Sequence, residues 1–355
     1  MARKQHYIFA PEKPHPIRAF LLGVLVVVAL TALGLIIYNF GLNHQVSAER
    51  VSVTVPNLSG DLENWSILLI SDLHGQYIGQ GHAGISRAVS GRSYSCIVFC
   101  GDMLGKDGDV QPLLDLVALL PPGTPKLFIP GDSDPPLIAT TAHASLSPYA
   151  DWAVALQNAG VTILDEPVSF TRNRSTIWFI PEELYSLDIN STESAYQARL
   201  DRMNASLTPL DADGAAEYRA AEYNIARMRR LREFQKTLSA DDIQIVVAHT
   251  PLTSEYVSDM IANTDSDAVF SLRRASLALA GHYAGGQWRV PGFGAVWVPG
   301  LGFFPDDSLI MGLDYVSGLA QYISPGLAAS DFYPMPGRVF NEPVITTIYL
   351  TANIV

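Results

Sequence analysis

The longest apolar stretch of the chain lies near its N-terminus and differs in pattern from every later segment. Residues Ala19 to Phe40 carry no charged side chain, and Thr31 and Asn39 are their clearly polar positions. A helix needs about 20 such residues to cross a bilayer, and a buried helix of a soluble protein rarely stays apolar on every face for that length. We therefore predict a transmembrane helix over residues 19–40.

The flanks of this segment predict its orientation. Arg50 is the single Lys or Arg between residues 41 and 60, whereas several basic side chains precede the segment: Arg3, Lys4, Lys13 and Arg18. By the positive-inside rule, residues 1–18 form a cytoplasmic tail of a single-pass cell-membrane protein, and the rest lies outside the cytoplasm. A cleaved signal peptide is the alternative, because Val46-Ser47-Ala48 has small residues that suit a peptidase, but signal-peptide cores run about 7–15 residues.

Beyond residue 64, short apolar runs recur, and each ends at a polar residue type that can hold a metal ion. Runs of this length bounded by Gly, Pro or Asp are typical of strands covered on both faces. The runs and the polar residues after them are 67–70 before Asp72 and His74, 96–100 before Asp102, 126–129 before Asp132 and Ser133, 243–248 before His249, and 277–280 before His282.

Helical patterns at residues 84–91, 110–120 and 149–160 alternate with these runs. Strand–helix alternation predicts a layered α/β fold over residues 65–355, with central β-sheets flanked by helices, and residues 41–64 read as a stalk and lead-in strand. Ligands of such folds bind beyond the carboxyl ends of the strands, where all the polar clusters fall. Their shared placement predicts a metal site there.

A polar, helical stretch at about 182–242 interrupts the alternation and is rich in arginine. The favoured interpretation is a solvated helical insertion. The alternative is a lid whose basic face meets an anionic substrate or a lipid headgroup. The net charge of −12 excludes nucleic acid as the main partner, since that needs clustered Lys and Arg.

The polar residues suit the chemistry of a two-metal centre. Asp72 and His74 are two positions apart after one strand, so both can bind one ion, and Asp102 can bridge two ions with its two oxygens. His249 and His282 offer neutral nitrogens from two further strands. Two ions roughly 3.5–4 Å apart, clamping a phosphoryl group and activating a water, would hydrolyse a phosphate ester.

The order of these motifs resembles the calcineurin-like metallophosphoesterase family, in particular its membrane-anchored bacterial members. The resemblance covers about residues 51–355. It rests on Asp72-Leu73-His74 for the family's DxH motif, Gly101-Asp102 for GD, Ala248-His249-Thr250-Pro251 for the isolated His, and Gly281-His282-Tyr283-Ala284-Gly285-Gly286-Gln287 for GHxHGGQ. It implies a layered calcineurin-like phosphoesterase fold, one or two divalent ions such as Mn, Fe or Zn, and a phosphate-ester substrate, with lipid-linked phosphates among the options.

Two positions depart from the family pattern. The family's GNHD motif reads Gly131-Asp132-Ser133-Asp134, in which Asp132 is a plausible replacement ligand, but Ser133 cannot replace His as a general acid near neutral pH. Ala284 stands where the family has its last His. The resemblance thus implies catalytic roles at Asp102, Asp132 and Ser133, and two unequal ligand sets: Asp102, Asp132, His249 and His282 for a nearly complete site, and Asp72, His74 and Asp102 for a depleted one.

Two functions follow from this sequence. The favoured one is a metal-dependent phosphoesterase, hydrolysing phosphomonoesters or phosphodiesters outside the membrane, because loss of a general acid costs about 10²–10⁴-fold and need not abolish hydrolysis. The alternative is a catalytically impaired pseudoenzyme that binds a phosphorylated ligand or a protein partner. The changes at Ser133 and Ala284 favour this alternative, since they affect the chemistry and spare the fold.

Overall fold

The computed structural model describes residues 16–105, 108–206 and 208–353. The chain divides into two compact units, residues 1–42 and 43–355. Most of the predicted cytoplasmic tail, residues 1–15, lies outside the described residues. The predicted transmembrane segment is helical throughout, and the predicted metal site falls in the second unit.

The first unit contains a single described helix, α1, which spans Pro16–Asn43 and ends at the boundary of the second unit. None of its residues is buried, and its most apolar window has a mean hydropathy of 3.0. Among the described residues, α1 is the one helix long and apolar enough to span a membrane. Its length is about 42 Å at 1.5 Å per residue, which exceeds the roughly 30 Å of a bilayer's hydrocarbon core.

The second unit alternates strands and helices in the order that the apolar runs predict. Its helices are α2 (Ala83–Val89), α3 (Gln111–Leu119), α4 (Asp151–Asn158), α5 (Glu183–Ser186), α6 (Ile189–Ala205), α7 (Ala212–Thr237) and α8 (Ser254–Ala262). Its strands are β1 (Ser47–Thr54), β2 (Ser66–Ile70), β3 (Cys96–Cys100), β4 (Lys126–Ile129), β5 (Val161–Ile163), β6 (Val168–Arg172), β7 (Ser175–Pro181), β8 (Ile243–Val247), β9 (Ala275–Ala280), β10 (Arg289–Val290), β11 (Gly294–Ala295), β12 (Trp297–Val298), β13 (Gly302–Phe303), β14 (Gly312–Val316), β15 (Leu319–Ile323) and β16 (Val344–Thr351).

Twelve of these strands form two six-stranded sheets, in the orders β1-β16-β2-β3-β4-β5 and β14-β15-β9-β8-β7-β6. The neighbouring strands β2, β3, β4 and β5 are parallel, as are β7, β8, β9 and β15. Parallel strands end at the same edge of a sheet, so the residues that follow β2, β3 and β4 are brought together, as are those that follow β8 and β9.

The two sheets pack face to face and carry helices on their outer faces. Along β2, Ile67 and Leu69 belong to a core cluster that includes residues of both sheets, whereas Leu68 and Ile70 pack with residues of α2, α3 and α4. Every position of β2 is therefore buried, which explains why the strand reads as an unbroken apolar run. The second sheet packs its outer face on α8 and on α5 and α7. The layered α/β class predicted from the sequence is confirmed.

The segment expected to be a stalk and lead-in strand contains β1, which pairs in parallel with β16 along its whole length, from Ser47 opposite Val344 to Thr54 opposite Thr351. The lead-in strand is thus an edge strand of the first sheet. Asn43 and Ser47 are separated by three residues. The stalk itself stays a prediction.

Three helices, α5 to α7, occupy the chain between β7 and β8, where the helical insertion was predicted. Four arginines of α7 are paired with carboxylates of the same unit: Arg227 with Glu183, Arg230 with Glu166, and both Arg229 and Arg232 with Glu193. Ion pairs of this kind neutralise the basic face. The geometry therefore favours a structural insertion over a lid that captures anions.

One buried histidine outside the metal site gives a prediction of pH dependence. His82 is fully buried before α2, where its Nδ1 accepts a hydrogen bond from the Ile78 amide at 3.3 Å and its Nε2 donates to the Pro112 carbonyl at 3.0 Å. The bond accepted by Nδ1 requires the neutral ring, and burial lowers the pKa of His82 below its ordinary value.

Because the folded pKa lies below the unfolded value, the contribution of His82 to stability is complete above about pH 6.5 and declines as the pH falls towards the folded pKa. We expect His82→Asn, which tolerates the left-handed backbone at this position (φ 57°), to flatten that decline. Denaturant unfolding of both proteins between pH 7.5 and 5 measures it, with a limit of about 1.4 kcal/mol per pH unit. Parallel stability curves would contradict this assignment.

Candidate metal centre

The predicted metal ligands lie in loops that continue the strand pairing past the ends of the strands. The Asp72 amide donates to the Gly101 carbonyl at 3.1 Å, and the His74 amide donates to the Asp102 carbonyl at 2.8 Å. In the other sheet, the Gly281 amide donates to the His249 carbonyl at 2.9 Å. These bonds hold the ligand-bearing loops of each sheet side by side.

Four of the predicted ligands have a left-handed backbone, which is uncommon for residues other than glycine. The φ values are 55° at Asp72, 48° at His74, 53° at Asp102 and 80° at His282. Such conformations cost about 1–3 kcal/mol each and persist where the surrounding structure enforces them. They lie where the ligand-bearing edges of the two sheets meet, and such a concentration is typical of functional sites.

The first group of ligand atoms comes from Asp72, His74 and Asp102 and lies within a span of 4.8 Å. His74 Nε2 is 3.9 Å from Asp102 Oδ2, and His74 Nδ1 is 3.3 Å from the Ser133 hydroxyl. His74 Nε2 is buried and has no hydrogen-bond partner among the described residues. A buried nitrogen without a partner is costly, and a bound cation would satisfy it.

The second group comes from Asp102, His249 and His282, again within 4.8 Å. His249 Nδ1 lies 2.8 Å from the Cys100 carbonyl, which can only accept, so Nδ1 is the protonated nitrogen. His249 Nε2 is then directed at Asp102 Oδ2 and His282 Nδ1, each at 3.3 Å. A backbone acceptor behind a histidine is the usual arrangement around a metal-binding imidazole.

Asp132 and Ser133 lie at the mouth of the same cluster. The Asp132 side chain is 70% exposed, and its Oδ2 lies 3.2 Å from His282 Nδ1. The Ser133 amide donates to Asp102 Oδ1 at 2.8 Å. The structure thus brings together all the residues that the sequence singles out. Ala284, at the position of the family's last His, is fully buried.

The charges of the cluster are strongly coupled. Burial raises the pKa of Asp72. Burial acts in the same sense on Asp102, but hydrogen bonding and the charge of His249 outweigh it and hold the pKa of Asp102 well below its usual range. Burial opposes protonation of His249, but Asp102 raises the pKa of His249 to about 9. Burial, followed by the charge of His249, lowers the pKa of His282.

A divalent cation fits this arrangement. Two buried carboxylates face each other across one cluster, and a protonated His249 is the cation that balances them among the cluster's described side chains. Imidazole nitrogens mixed with carboxylate oxygens suit Zn, Fe or Mn. Asp102 belongs to both groups, and its Oδ2 lies 3.9 Å from His74 Nε2 in the first group and 3.3 Å from His249 Nε2 in the second. The fold and the site define a layered α/β protein with a candidate two-metal centre.

The centre opens into a cleft of about 500 Å³, lined by Phe332 beside the ligands His74, Asp102, Asp132 and His282. The Phe332 ring centroid lies 5.8 Å from that of His282, and the phenyl ring is 62% exposed. A neighbouring cavity of about 540 Å³ shares Asp132 and His249 and extends to Arg227 of α7. A substrate in the cleft would therefore contact the candidate ligands and an aromatic ring beside them.

Sequence reasoning missed the support behind the ligands. Arg338 is buried, and its guanidinium donates to the carbonyls of Pro325 and Ala328, each at 3.0 Å. The Ala328 amide in turn donates to the Asp72 carbonyl at 2.8 Å. Asn341 accepts from Arg338 and donates to the Ala284 carbonyl at 2.9 Å. Arg338 is the one Lys or Arg after Arg289 in the sequence, and this isolation could have singled it out as a residue with a specific role.

We expect Arg338→Met to lower the free energy of unfolding by roughly 3–5 kcal/mol, because several buried carbonyls lose their donor together. Chemical unfolding of the full chain in detergent measures the change. Arg87→Met is the matched control, since Arg87 is exposed and donates to one carbonyl at 3.3 Å; its effect should stay within about 0.5 kcal/mol. Equal effects of the two substitutions would contradict this role for Arg338.

Comparison with solved structures finds a weak likeness to the phosphopantetheinyl hydrolase from Mycobacterium tuberculosis, at 15% sequence identity and a TM-score of 0.36. The likeness covers 75% of this chain and 91% of that chain. At this level it indicates nothing about activity. No family model matches the sequence, and no curated protein matches it.

Proposed function

We propose that this protein is a metal-dependent phosphoesterase of the calcineurin-like type, anchored to the membrane by α1 with its second unit outside the cytoplasm. The observation that carries the proposal is the sharing of Asp102 between two groups of ligand atoms, each within 4.8 Å. A bridging carboxylate between two mixed nitrogen and oxygen sets is suited to a pair of divalent ions. Mn, Fe and Zn are the ions whose preferences these donors meet.

A pair of ions held there would supply Lewis acidity and a water activated at neutral pH. The chain itself supplies the rest. His249 is fixed by the Cys100 carbonyl, so its Nε2 points into the centre. Asp132 and the Ser133 hydroxyl face the cleft, where they can orient a phosphate ester. Phe332 borders the cleft and offers an aromatic ring to a bound substrate.

Ser133 limits the chemistry. A serine hydroxyl can donate a hydrogen bond to a leaving oxygen but cannot protonate it near neutral pH. Hydrolysis should therefore favour substrates whose leaving group needs no proton. Phosphomonoesters and phosphodiesters both fit the cleft, and lipid-linked phosphates are included because α1 would hold the cleft near a membrane.

The second candidate is a binding module that holds a phosphorylated ligand or a protein partner without turnover. Two observations favour it: the hydroxyl of Ser133 where the family has an acid, and the fully buried methyl of Ala284 where the family has a ligand. In this case the second ligand group would bind one ion and the first group none.

The experiment compares hydrolysis of an aryl and an alkyl phosphodiester by the full chain with Mn²⁺, in the wild type and in Ser133→His. An enzyme should turn over the aryl ester, and Ser133→His should increase alkyl-ester hydrolysis, up to about 10²-fold, and aryl-ester hydrolysis much less. His249→Ala should abolish both reactions. Absence of turnover in the wild type, with ions still bound, would reject the enzyme and leave the binding module.

A further inference from the structure

A short repeat near the metal centre is not used by the proposed chemistry. The sequence Val290-Pro291-Gly292-Phe293-Gly294 is followed closely by Val298-Pro299-Gly300-Leu301-Gly302. In each copy, Pro-Gly forms a tight turn that one backbone hydrogen bond closes. The Phe293 amide donates to the Val290 carbonyl at 2.9 Å in the first copy, and the Leu301 amide donates to the Val298 carbonyl at 3.1 Å in the second. The glycine after each proline, Gly292 or Gly300, has a positive φ, which glycine adopts without strain. We call residues 290–304 the paired hairpins.

The paired hairpins present large apolar side chains to solvent. Phe293 is 79% exposed, Phe303 74% and Phe304 61%, beside the partly exposed Val290 and Leu301. Val290 and Phe293 also line one cavity together with Pro305, the residue that follows the second hairpin. Single exposed apolar residues are normal on a protein surface, but a group of three exposed phenyl rings marks an interaction surface.

The hairpins are held by buried side chains at their base, so the exposure of the phenyl rings belongs to a packed structure. Ala295, Val298 and Ile310 are fully buried and pack in a small cluster with Tyr333. The same cluster includes Tyr283, the neighbour of the ligand His282. The hairpin tips therefore project from a base that is shared with the metal centre.

The segment 338–343 connects the hairpins with the point where the chain enters the second unit. The Arg289 amide donates to the Val339 carbonyl at 2.9 Å on one side of this segment. On the other side, Asn43 Nδ2 donates to the Arg338 carbonyl at 2.7 Å, and the Ser47 amide donates to the Pro343 carbonyl at 2.9 Å. Asn43 is the last residue of α1. The chain therefore enters the second unit on the side that carries the hairpins.

The direction of the strands gives the same result. Ser47 and Val344 are paired at the start of β1 and β16, and β16 runs antiparallel to β2. The chain thus enters at the sheet edge that follows the carboxyl end of β2, where Asp72 and Asp102 lie. From Asn43 to Ser47 the chain can extend by at most about 14 Å. The metal centre and the point where the chain enters the second unit therefore lie at the same edge of the first sheet.

The charge of residues 290–337 indicates how this region would contact a lipid surface. Residues 290–337 contain no Lys or Arg, and their charged side chains are Asp306, Asp307, Asp314 and Asp331. Such a region is not attracted to anionic headgroups, so contact with lipid would come from insertion of the apolar tips. Aromatic side chains are well suited to the boundary between headgroups and acyl chains.

We propose that the paired hairpins insert into the lipid surface beside α1 and hold the metal centre against the bilayer. The proposal rests on the membrane anchoring proposed above. The proposal favours phosphate esters that are attached to a lipid as substrates. Their phosphate lies at the bilayer surface, which the cleft of the docked protein would face.

The test places the full chain in nanodiscs of phosphatidylcholine and labels introduced cysteines with an environment-sensitive fluorophore. The native Cys96 and Cys100 are fully buried and should not react. Phe293→Cys and, as a second variant, Phe303→Cys report on the hairpins. Ala352→Cys is the control, because it follows the carboxyl end of β16, about 25 Å along that strand from Val344, near which the chain enters the second unit.

Lipids brominated on their acyl chains should quench the labels at Phe293→Cys and Phe303→Cys and leave the label at Ala352→Cys unchanged. Adding anionic lipid should not alter the quenching. Unquenched hairpin labels on a chain that stays in the disc at alkaline pH would overturn docking while leaving the anchor intact. Release of the chain from the disc at alkaline pH would instead overturn the anchoring itself. Neither result depends on hydrolysis, so each is separate from a failure of the proposed reaction.

Discussion

Asp102→Asn is expected to remove metal from both halves of the centre and to lower hydrolysis by at least about 10²-fold, since even outer-shell partners of metal ligands are worth 10–100-fold. The amide keeps the shape of the carboxylate, and its oxygen can still accept the hydrogen bond from the Ser133 amide. It loses the negative charge and the Oδ2 oxygen, which lies 3.9 Å from His74 Nε2 and 3.3 Å from His249 Nε2. Metal analysis and aryl-ester turnover of the variant measure the effect.

Single ligands of the two groups provide the comparison. Asp72→Asn should weaken the binding of the ion at the first group, to which Asp72 belongs. His249→Ala should weaken the binding of the ion at the second group, to which His249 belongs. Asp241→Asn, at an exposed aspartate before β8, should leave metal content unchanged. If Asp102→Asn keeps two ions, or loses no more metal than Asp72→Asn, then Asp102 is not shared.

Gly131→Ala is expected to weaken metal binding by roughly 10–100-fold without changing any ligand. A Cβ at Gly131 would lie 2.3 Å from the Asp102 amide nitrogen, 2.4 Å from Asp102 Oδ1 and 2.9 Å from His249 Cε1. Real atoms do not approach so closely, so the two ligands must move apart. Metal affinity, measured by titration with Mn²⁺, should fall while the protein remains folded.

Gly60→Ala is the matched control, because a Cβ there meets nothing within 4 Å and the backbone needs no positive φ. Gly281→Ala gives a second comparison: its Cβ would lie 2.8 Å from Ser71 Cβ and 3.0 Å from Asp72 Oδ2, so it should disturb the first ligand group more than the second. Unchanged affinity in Gly131→Ala would show that the close contact of Asp102 and His249 is not needed to hold an ion.

The apolar runs were sufficient to predict the central strands and the edge at which the ligands meet. Residues in runs such as 67–70 are buried on both faces of the sheet, so each position is apolar and the strand is visible in the sequence as a continuous apolar run. The edge follows because parallel strands end together. β14 could not be predicted in this way, since Gly312–Val316 is buried at one position only and lacks an apolar run.

The support of the centre could not be read from the sequence, because it depends on contacts between distant segments. Arg338 acts on Asp72 through the Ala328 backbone, and the tight fit of Gly131 against Asp102 appears only once the loops are side by side. The arginines of α7 looked like a basic face until their partners Glu166, Glu183 and Glu193 were located. Pairing over such separations leaves no local pattern.

The measurement that tests the metal centre most directly is the number of Mn²⁺ ions bound per full-length chain, determined by elemental analysis after equilibrium dialysis over a range of concentrations. We predict one tightly bound ion, lost in His249→Ala, and a second, weaker ion, lost in His74→Ala, since the second group has Asp132 beside it and the first group has three donors. Binding no greater than that of Asp102→Asn at every concentration would contradict a metal centre at this edge of the sheet.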